Sequence, residues 1–409
     1  MDERKFTKTK IITRTVWVLS LVSLFTDIAS ESLYPIMPVY LKEIGFSVLL
    51  IGVLEGFAEA TAGLSKSYFG RLSDLSGTRL PFVRFGYLLS AVSKPMMAVF
   101  TFPVWIFFSR TIDRFGKGVR TGARDALLSD EATAQTKGRI FGFHRSMDTL
   151  GAVIGPSMAL LYLYLFPGSY KSLFYFAFIP GMLAIGLTFL ITEKRRVGKG
   201  DIEFKSASFL SFAQYWKKSS LRYKKLVTGL LAFTLINSSD LFLLLKVKES
   251  GLSDTAVIGV YIFYNFIYAL TAYPLGGLSD RIGFKKTLVI GLFLFATVYA
   301  GMAISHQLYQ FIGLFFLYGV YAAATESVAK AWISNICDKG DTATAIGTYT
   351  GFQSIFTMMA SSLAGGIWLM FGASMTFFVS AISAILVSAF IALYVSSPRE
   401  SRPEKEILG

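Results

Sequence analysis

Apolar segments of about 20 residues, separated by short polar stretches, follow one another along the whole chain. A helix of this length spans the hydrocarbon core of a bilayer, whereas membrane β-barrels show shorter alternating segments. The pattern therefore predicts an all-α membrane protein with twelve transmembrane helices. The predicted spans are 16–40, 48–71, 81–102, 103–128, 138–165, 173–192, 226–245, 255–278, 287–304, 308–333, 345–370 and 374–395.

The composition agrees with this class, because hydrophobic residues make up 53% of the 409 residues and charged residues only 16%. The net charge of +14 is concentrated in particular loops, which is typical of cytoplasmic loops and does not indicate nucleic-acid binding. One cysteine excludes an internal disulfide, and no phosphate-binding loop, His-Glu-x-x-His motif or Cys/His cluster occurs. We therefore expect neither an enzyme nor a cofactor.

The polar segments predict how the chain is divided and oriented. Residues 1–192 form one six-helix bundle, 193–225 a basic cytoplasmic linker, and 226–409 a second six-helix bundle with a cytoplasmic tail. Because the first tail and the linker are rich in Lys and Arg, both termini are placed in the cytoplasm. The expected location is a bacterial inner membrane, crossed many times.

The two halves repeat one another in sequence. Residues 70–79 (GRLSDLSGTR) match residues 276–285 (GGLSDRIGFK), and 45–47 match 251–253 at the same offset. The pattern indicates a duplicated six-span unit with two pseudo-symmetric bundles. In the first copy we expect Asp74 to stabilise the positive end of a helix and Arg79 to pair across the bundle interface. The alternative is a loop cap with an ordinary cytoplasmic charge. The candidate gating residues are Gly70, Asp74, Gly77, Arg79, Asp280, Arg281, Gly283 and Lys285.

The repeated loop and the six-plus-six arrangement resemble the major facilitator superfamily. Two shorter motifs are also similar to motifs of this family. Residues 114–118 resemble the fourth-span motif of proton-coupled members, with Lys117 where Gln is usual. Residues 151–156, which contain Gly151, Gly155 and Pro156, resemble the fifth-span motif of antiporters. The resemblance implies two bundles around a central cavity that opens alternately to each side.

Charged residues inside the first six spans are the strongest functional signal, because such residues normally face a bundle interior or a water-filled cavity. On span 4 they recur at steps of three and four and should share one helical face. Only Asp240, Glu326 and Lys330 carry charge inside the second six spans, whose contribution is mostly aromatic. The candidate residues for proton coupling or the substrate pathway are Asp27, Glu31, Glu55, Glu59, Arg110, Asp113, Arg114, Lys117, His144, Arg145 and Asp148.

Three interpretations of this charged set stay open. In the first, a carboxylate paired with Arg114 carries protons, and the protein exports a small organic solute. In the second, Arg110, Lys117, Arg120 and Arg124 line the pathway of an organic or inorganic anion. In the third, the charges form a structural salt-bridge lattice. A divalent-metal carrier and a non-transporting sensor or lipid translocator are further alternatives. The expected partners are a small-molecule substrate, protons and the lipid bilayer, and we expect a monomer.

Overall fold

The computed structural model describes residues 11–34, 36–193 and 211–395. All regular structure in these ranges is helical, which confirms the predicted all-α fold. The helices of the first half are α1 (Arg14–Glu31), α2 (Met37–Glu43), α3 (Val48–Ser76), α4 (Leu80–Val99), α5 (Pro103–Asp130), α6 (Lys137–Leu165) and α7 (Tyr170–Thr188). Because α1 and α2 follow each other within the first apolar segment, these seven helices make six spans.

The second half has the same plan. It contains α8 (Ser211–Lys218), α9 (Leu221–Ile236), α10 (Leu241–Glu249), α11 (Asp254–Ile282), α12 (Phe284–Ile304), α13 (Leu308–Ile336) and α14 (Thr342–Tyr394). Together, α9 and α10 form one broken span. The long α14 contains two spans, because Gly372 interrupts it with a φ of 83°. Twelve spans result, with α8 as a short helix before the seventh.

Apolarity is unevenly distributed between the halves. Seven helical segments of the described chain are long and apolar enough to cross a membrane on composition alone, and the last of them, Lys339–Tyr394, contains two spans. Five of the seven lie in the second half, and the two from the first half are α6 and α7. The first half is less apolar because its helices carry the buried charges described below.

The repeated residues 45–47 and 251–253 have the same structural role, because each leads into the second span of its half. Gly45 and Gly251 have φ values of 93° and 82°, a backbone conformation that glycine adopts without strain. The serine two residues later caps the next helix: Ser47 accepts a hydrogen bond from the amide of Leu50 at 3.2 Å, and Ser253 caps α11 in the same way.

The two halves pack closely at one end of the bundle, the end with the repeated motif, which we call the motif side. Here α3 packs against α14, and α6 packs against α11. A Cβ atom at Gly70 would lie 2.5 Å from the carbonyl oxygen of Ala343, and one at Gly276 would lie 2.2 Å from that of Gly138. Neither position has room for a side chain, so glycine permits this close helix contact.

The ends of the motif differ from the prediction. Because α3 continues to Ser76 and α11 to Ile282, Asp74 and Asp280 lie in the last turns of helices and not in loops. The turn itself is short: Gly77 and Gly283 have φ values of 68° and 97°. The longer helices bring both aspartates to the interface between the halves.

Candidate functional site

Each repeated aspartate binds the first turn of a helix from the other half. Asp74 accepts hydrogen bonds from the amide and the hydroxyl of Thr344, at 2.7 and 2.8 Å. Asp280 accepts hydrogen bonds from the amides of Gly138 and Arg139, at 2.7 and 2.9 Å. The first amides of a helix lack partners within the helix and carry a partial positive charge, so carboxylates stabilise them. We call these contacts the Asp74 latch and the Asp280 latch.

Arg79 does not make the interface contact that the sequence suggested. Its guanidinium lies 3.0 Å from Asp74 and also pairs with Asp130, both in its own half. Its amide donates to Glu193 at 2.9 Å. The prediction that Arg79 pairs across the interface is therefore wrong, because Asp74 reaches the other half directly. Arg79 holds Asp74 in place.

In the second copy of the motif the basic residues stand at other positions, apart from Lys285, which corresponds to Arg79. Arg281 lies exposed in the last turn of α11, and Lys285 lies in the first turn of α12. Gly283 forms the turn between them, as Gly77 does in the first half. The two motifs therefore share the aspartate and the glycine turn but differ in their basic residues.

A cavity of about 320 Å³ lies between the two halves. The first half contributes most of its charged wall, and the second half contributes tyrosine, amide and hydroxyl groups together with one acid and one lysine. The lining residues include Asp27, Glu31, Lys66, Lys117, Arg120, Arg124, Arg145, Asp148, Tyr261, Tyr264, Asn265, Glu326, Lys330, Tyr349, Thr350 and Gln353. Five of the predicted pathway residues are in this wall: Asp27, Glu31, Lys117, Arg145 and Asp148.

Arg145 is the most highly connected cation of the cavity. Its guanidinium lies 2.7 Å from Asp148 in the same helix and 2.5 Å from Glu326 of the other half. Its Nε donates to the hydroxyl of Tyr268 at 2.6 Å. Since the bond to Glu326 joins α6 to α13, it connects the cavity wall to the interface between the halves.

A second ion pair also crosses the interface. Lys330 lies 2.8 Å from Asp125, whose other oxygen accepts from Arg124 at 2.8 Å. Asp125 is fully buried, so both cations compensate its charge. The sequence suggested that charge belongs mainly to the first half, yet Glu326 and Lys330 complete two of its ion pairs.

Some of the predicted residues pair inside the first half and not in the cavity wall. Asp113 lies 2.6 Å from Lys94 and 3.3 Å from Arg110, and all three side chains are buried between α4 and α5. Arg120 donates to Ser90 of α4 at 2.5 Å, although it also lines the cavity. The charged side chains of span 4 were expected to share one face. Some of them instead contact α4, and others line the cavity. Lys94 was not predicted as part of this set, although a lone lysine within an apolar span is a usable signal.

The acidic residues of α1, Asp27 and Glu31, lie close to Asp148 of α6. Asp148, Glu31 and Lys117 are the charged neighbours of Asp27. Close helix contact explains this: a Cβ atom at Gly151 would lie 2.6 Å from the carbonyl oxygen of Leu24. One at Gly155 would meet the carbonyl oxygen of Ile28 at 2.8 Å, and Pro156 follows within the same helix. The fifth-span motif therefore fixes the separation of α1 and α6.

The remaining predicted residues surround the cavity. Glu59 has Lys66, Lys117, Arg114 and Arg110 as its charged neighbours. The buried His144 lies near Arg124, Asp148 and Asp125. The side chain of Glu55 lies outside the described part of the structure. Lys66, which was also not predicted, lines the cavity and donates to Ser354 of the second half at 3.0 Å.

The fold and the interface can be compared with known proteins. The family model described as Major Facilitator Superfamily matches residues 19–267 and 247–408. The chain belongs to the Major Facilitator Superfamily. An uncharacterized MFS-type transporter of Methanocaldococcus jannaschii is 29% identical over 390 residues, which cover 94% of this chain and 95% of that relative.

Two further proteins are similar in part or in fold. The quinolone resistance protein NorA of Staphylococcus aureus is 27% identical over 158 residues, which cover 38% of this chain and 39% of NorA. The structure of FucP, an MFS transporter in the outward conformation, has a TM-score of 0.75 at 11% identity and covers 94% of this chain and 99% of its own. This likeness shows a common fold. As a member of the Major Facilitator Superfamily, the chain is a multi-pass membrane transporter for a small-molecule substrate, and not an enzyme.

Proposed function

We propose that this protein is a secondary active transporter of a small organic anion, which binds in the cavity between the two halves. The observation that carries the proposal is the charge of the cavity wall. Six cationic side chains and four carboxylates line it, so the wall has an excess of two positive charges, and one remains when the buried Asp125 that pairs with Arg124 and Lys330 is included. The cations are Lys66, Lys117, Arg120, Arg124, Arg145 and Lys330, and the carboxylates are those of Asp27, Glu31, Asp148 and Glu326.

The cations differ in how far they are already compensated. Arg145, Arg124 and Lys330 each have a carboxylate within 2.8 Å. The side chain of Lys117 is exposed and lines the cavity, and among the described residues it makes no direct ion pair, although Glu59, Asp27 and Glu31 are its charged neighbours. An incoming anion can therefore bind Lys117 without breaking a direct ion pair, and we assign the initial contact to this side chain.

Binding can be coupled to movement through Arg145. Its bond to Glu326 joins the two halves and must break when they separate on the motif side. A substrate carboxylate that reaches Arg145 would replace Glu326 as its partner, which offsets the cost of breaking the contact. In this mechanism the solute lowers the barrier to the change of access, and an empty transporter stays closed on the motif side.

The positive-inside rule places the motif side in the cytoplasm, because the linker and the first tail are basic. We therefore propose an inner-membrane protein with both termini cytoplasmic and bundles at residues 1–192 and 226–409, joined by the linker 193–225. In this orientation the structure represents the state whose cytoplasmic side is closed. Opening that side requires both aspartate latches to break, as expected for the proposed gating residues.

Proton-coupled export of a small organic solute is the second candidate. It is supported by the adjacent carboxylates of Asp27 and Asp148 and by the partial similarity to NorA, a quinolone resistance protein. The polar wall argues against a lipophilic solute, because such ligands bind pockets with mainly apolar linings. A divalent-metal carrier finds less support, since the described residues contain no group of three metal-binding side chains.

The proposal can be tested by a ligand screen on the purified protein. Small mono-, di- and tricarboxylates, phosphate esters and lipophilic cations are added, and thermal unfolding is recorded, because a ligand of the folded state raises its apparent stability. Lys117→Gln should weaken binding of an anionic hit about 10- to 100-fold, as expected for the loss of one charged hydrogen bond.

The matched control is Lys171→Gln, which neutralises an exposed lysine at the start of α7. It should leave the affinity for the anion unchanged. The proposal is contradicted if only lipophilic cations stabilise the protein, or if both lysine variants bind anions as the wild type does.

A further inference from the structure

The seventh span contains a carboxylate at the point where its helix is broken. The first helix, α9, ends at Ile236 and α10 begins at Leu241, and residues 237–240 between them are not helical. Asp240 is the last residue of this break. Its two carboxylate oxygens accept hydrogen bonds from the hydroxyls of Tyr264 and Tyr318, each at 2.5 Å. The carboxylate therefore joins the break to α11 and α13.

The surroundings of Asp240 are unusual for a charged group within a bundle. The described residues show no ion pair for it, and its direct partners are two neutral phenols. A carboxylate without a cation is costly inside a membrane protein, whereas two hydroxyl donors favour its ionised form. These two effects oppose each other, so the charge of Asp240 is sensitive to its two hydrogen-bond donors. The titratable groups that face it are Tyr261 and Tyr264 of α11, Tyr299 of α12, Tyr318, Tyr321 and Glu326 of α13, and Arg145 of α6.

The two more distant charges among these groups largely compensate each other. Arg145 favours an ionised Asp240 and Glu326 opposes it, but these two side chains are paired with each other at 2.5 Å. Burial and the two tyrosine hydroxyls therefore influence the protonation of Asp240 more than these two charges do. This separates Asp240 from Asp27 and Glu59 of the first half, which have lysine or arginine neighbours.

We propose that Asp240, held by Tyr264 and Tyr318 at the break of the seventh span, is a proton-binding site of the second half, and that its protonation releases α10. In the ionised state the carboxylate accepts one hydrogen bond from each tyrosine hydroxyl. When a proton from water binds one carboxylate oxygen, that oxygen becomes a neutral hydroxyl and a much weaker acceptor for its tyrosine. One of the two connections from the start of α10 to α11 and α13 is then weakened.

The site can also affect the cavity. Tyr264 lines the cavity wall, so a change in its hydrogen bonding alters a surface that a solute would contact. Asp240 itself is partly exposed, which allows protons to reach it. The inference concerns a proton and not the solute, so it does not depend on the assignment of an anionic substrate.

The test uses infrared difference spectroscopy of the full-length protein in lipid, titrated from mildly acidic to mildly alkaline pH without any solute. A protonated carboxyl group gives a carbonyl band that disappears on ionisation. This band should be absent from Asp240→Asn. In Tyr318→Phe, which keeps the carboxylate but removes one donor, the midpoint of the band should move to higher pH by about one unit or more, a tenfold gain in proton affinity.

Tyr309→Phe is the matched control, because Tyr309 is an exposed tyrosine of the same helix as Tyr318. It should leave the midpoint unchanged. The proposal is overturned if the spectra of Asp240→Asn and the wild type agree at every pH, or if Tyr318→Phe does not move the midpoint. Should Asp240→Asn fail to fold, the Tyr318→Phe titration decides alone, since a purely structural carboxylate would show no such shift.

Discussion

The Asp280 latch should control access to the motif side, and Asp280→Asn tests this directly. The substitution keeps the shape of the side chain but removes its charge. The carboxylate makes two hydrogen bonds to amides across the interface, at 2.7 and 2.9 Å. A bond to a charged group contributes about 1.5–3 kcal/mol and a neutral one about 0.5–1.5. The closed state should therefore lose about 1–3 kcal/mol, which raises the open population about 5- to 150-fold.

The single cysteine of the chain provides the assay. Cys337 is half-buried on the motif side, in a cleft that Asp74 and Thr344 also line. Opening of this side should expose its thiol, so the rate of maleimide alkylation reports the open population. Asp280 is the better target because Asp74 is an electrostatic neighbour of the thiol, and its neutralisation would change the chemistry of the thiol as well.

Asp280→Asn should increase the alkylation rate of Cys337 about 5- to 150-fold at constant pH. Glu249→Gln, which neutralises an exposed acid at the end of α10, is the control and should have no effect. If Asp280→Asn alkylates at the wild-type rate, the contact does not stabilise the closed state, and the proposed gating role of the repeated aspartates is refuted.

Three further predictions concern stability, packing and thiol chemistry. Asp113→Asn should destabilise the protein by about 3–5 kcal/mol, because it leaves the buried Lys94 without its partner at 2.6 Å, and a lowered melting temperature would show it. Adding Lys94→Met should restore most of the loss. Gly276→Ala should disfavour the closed state, since its Cβ atom would lie 2.2 Å from the carbonyl oxygen of Gly138, and faster alkylation of Cys337 is expected. Burial raises the pKa of the Cys337 thiol to about 11, so only a small thiolate fraction reacts at neutral pH. The wild-type rate should rise about tenfold per pH unit up to that value, and a plateau near pH 9 would contradict this.

The architecture could be predicted from the sequence because each signal was local. Apolar segments of bilayer length gave the spans, and the repeat around Asp74 and Asp280 gave the duplication. The ends of α3 and α11 were placed too early, since the polar residues of the motif suggested a loop. These residues stay helical because Asp74 and Asp280 bond to helices of the opposite half, and such contacts are not visible in local sequence.

The candidate site was only partly predictable, because the partner of a buried charge is determined by the fold. Spacing placed Asp113 and Lys117 on one face of span 4, but Asp113 turns to Lys94 while Lys117 enters the cavity. The ion pairs of Arg145 with Glu326 and of Asp125 with Lys330 join residues far apart in sequence. A sequence identifies such charges as candidates without showing which of them meet.

The central claim is tested most directly by measuring the affinity for an anionic ligand in two variants whose expected effects are opposite. Calorimetric titration would compare the wild type with Lys117→Gln and Glu326→Gln, using an anion found by thermal shift. Lys117→Gln should weaken binding, because it removes a cation of the cavity wall. Glu326→Gln should strengthen binding, because it removes the carboxylate that competes for Arg145 at 2.5 Å. Opposite changes are the predicted result, whereas unchanged affinity in both variants, or weaker binding in Glu326→Gln, would contradict an anion site in this cavity.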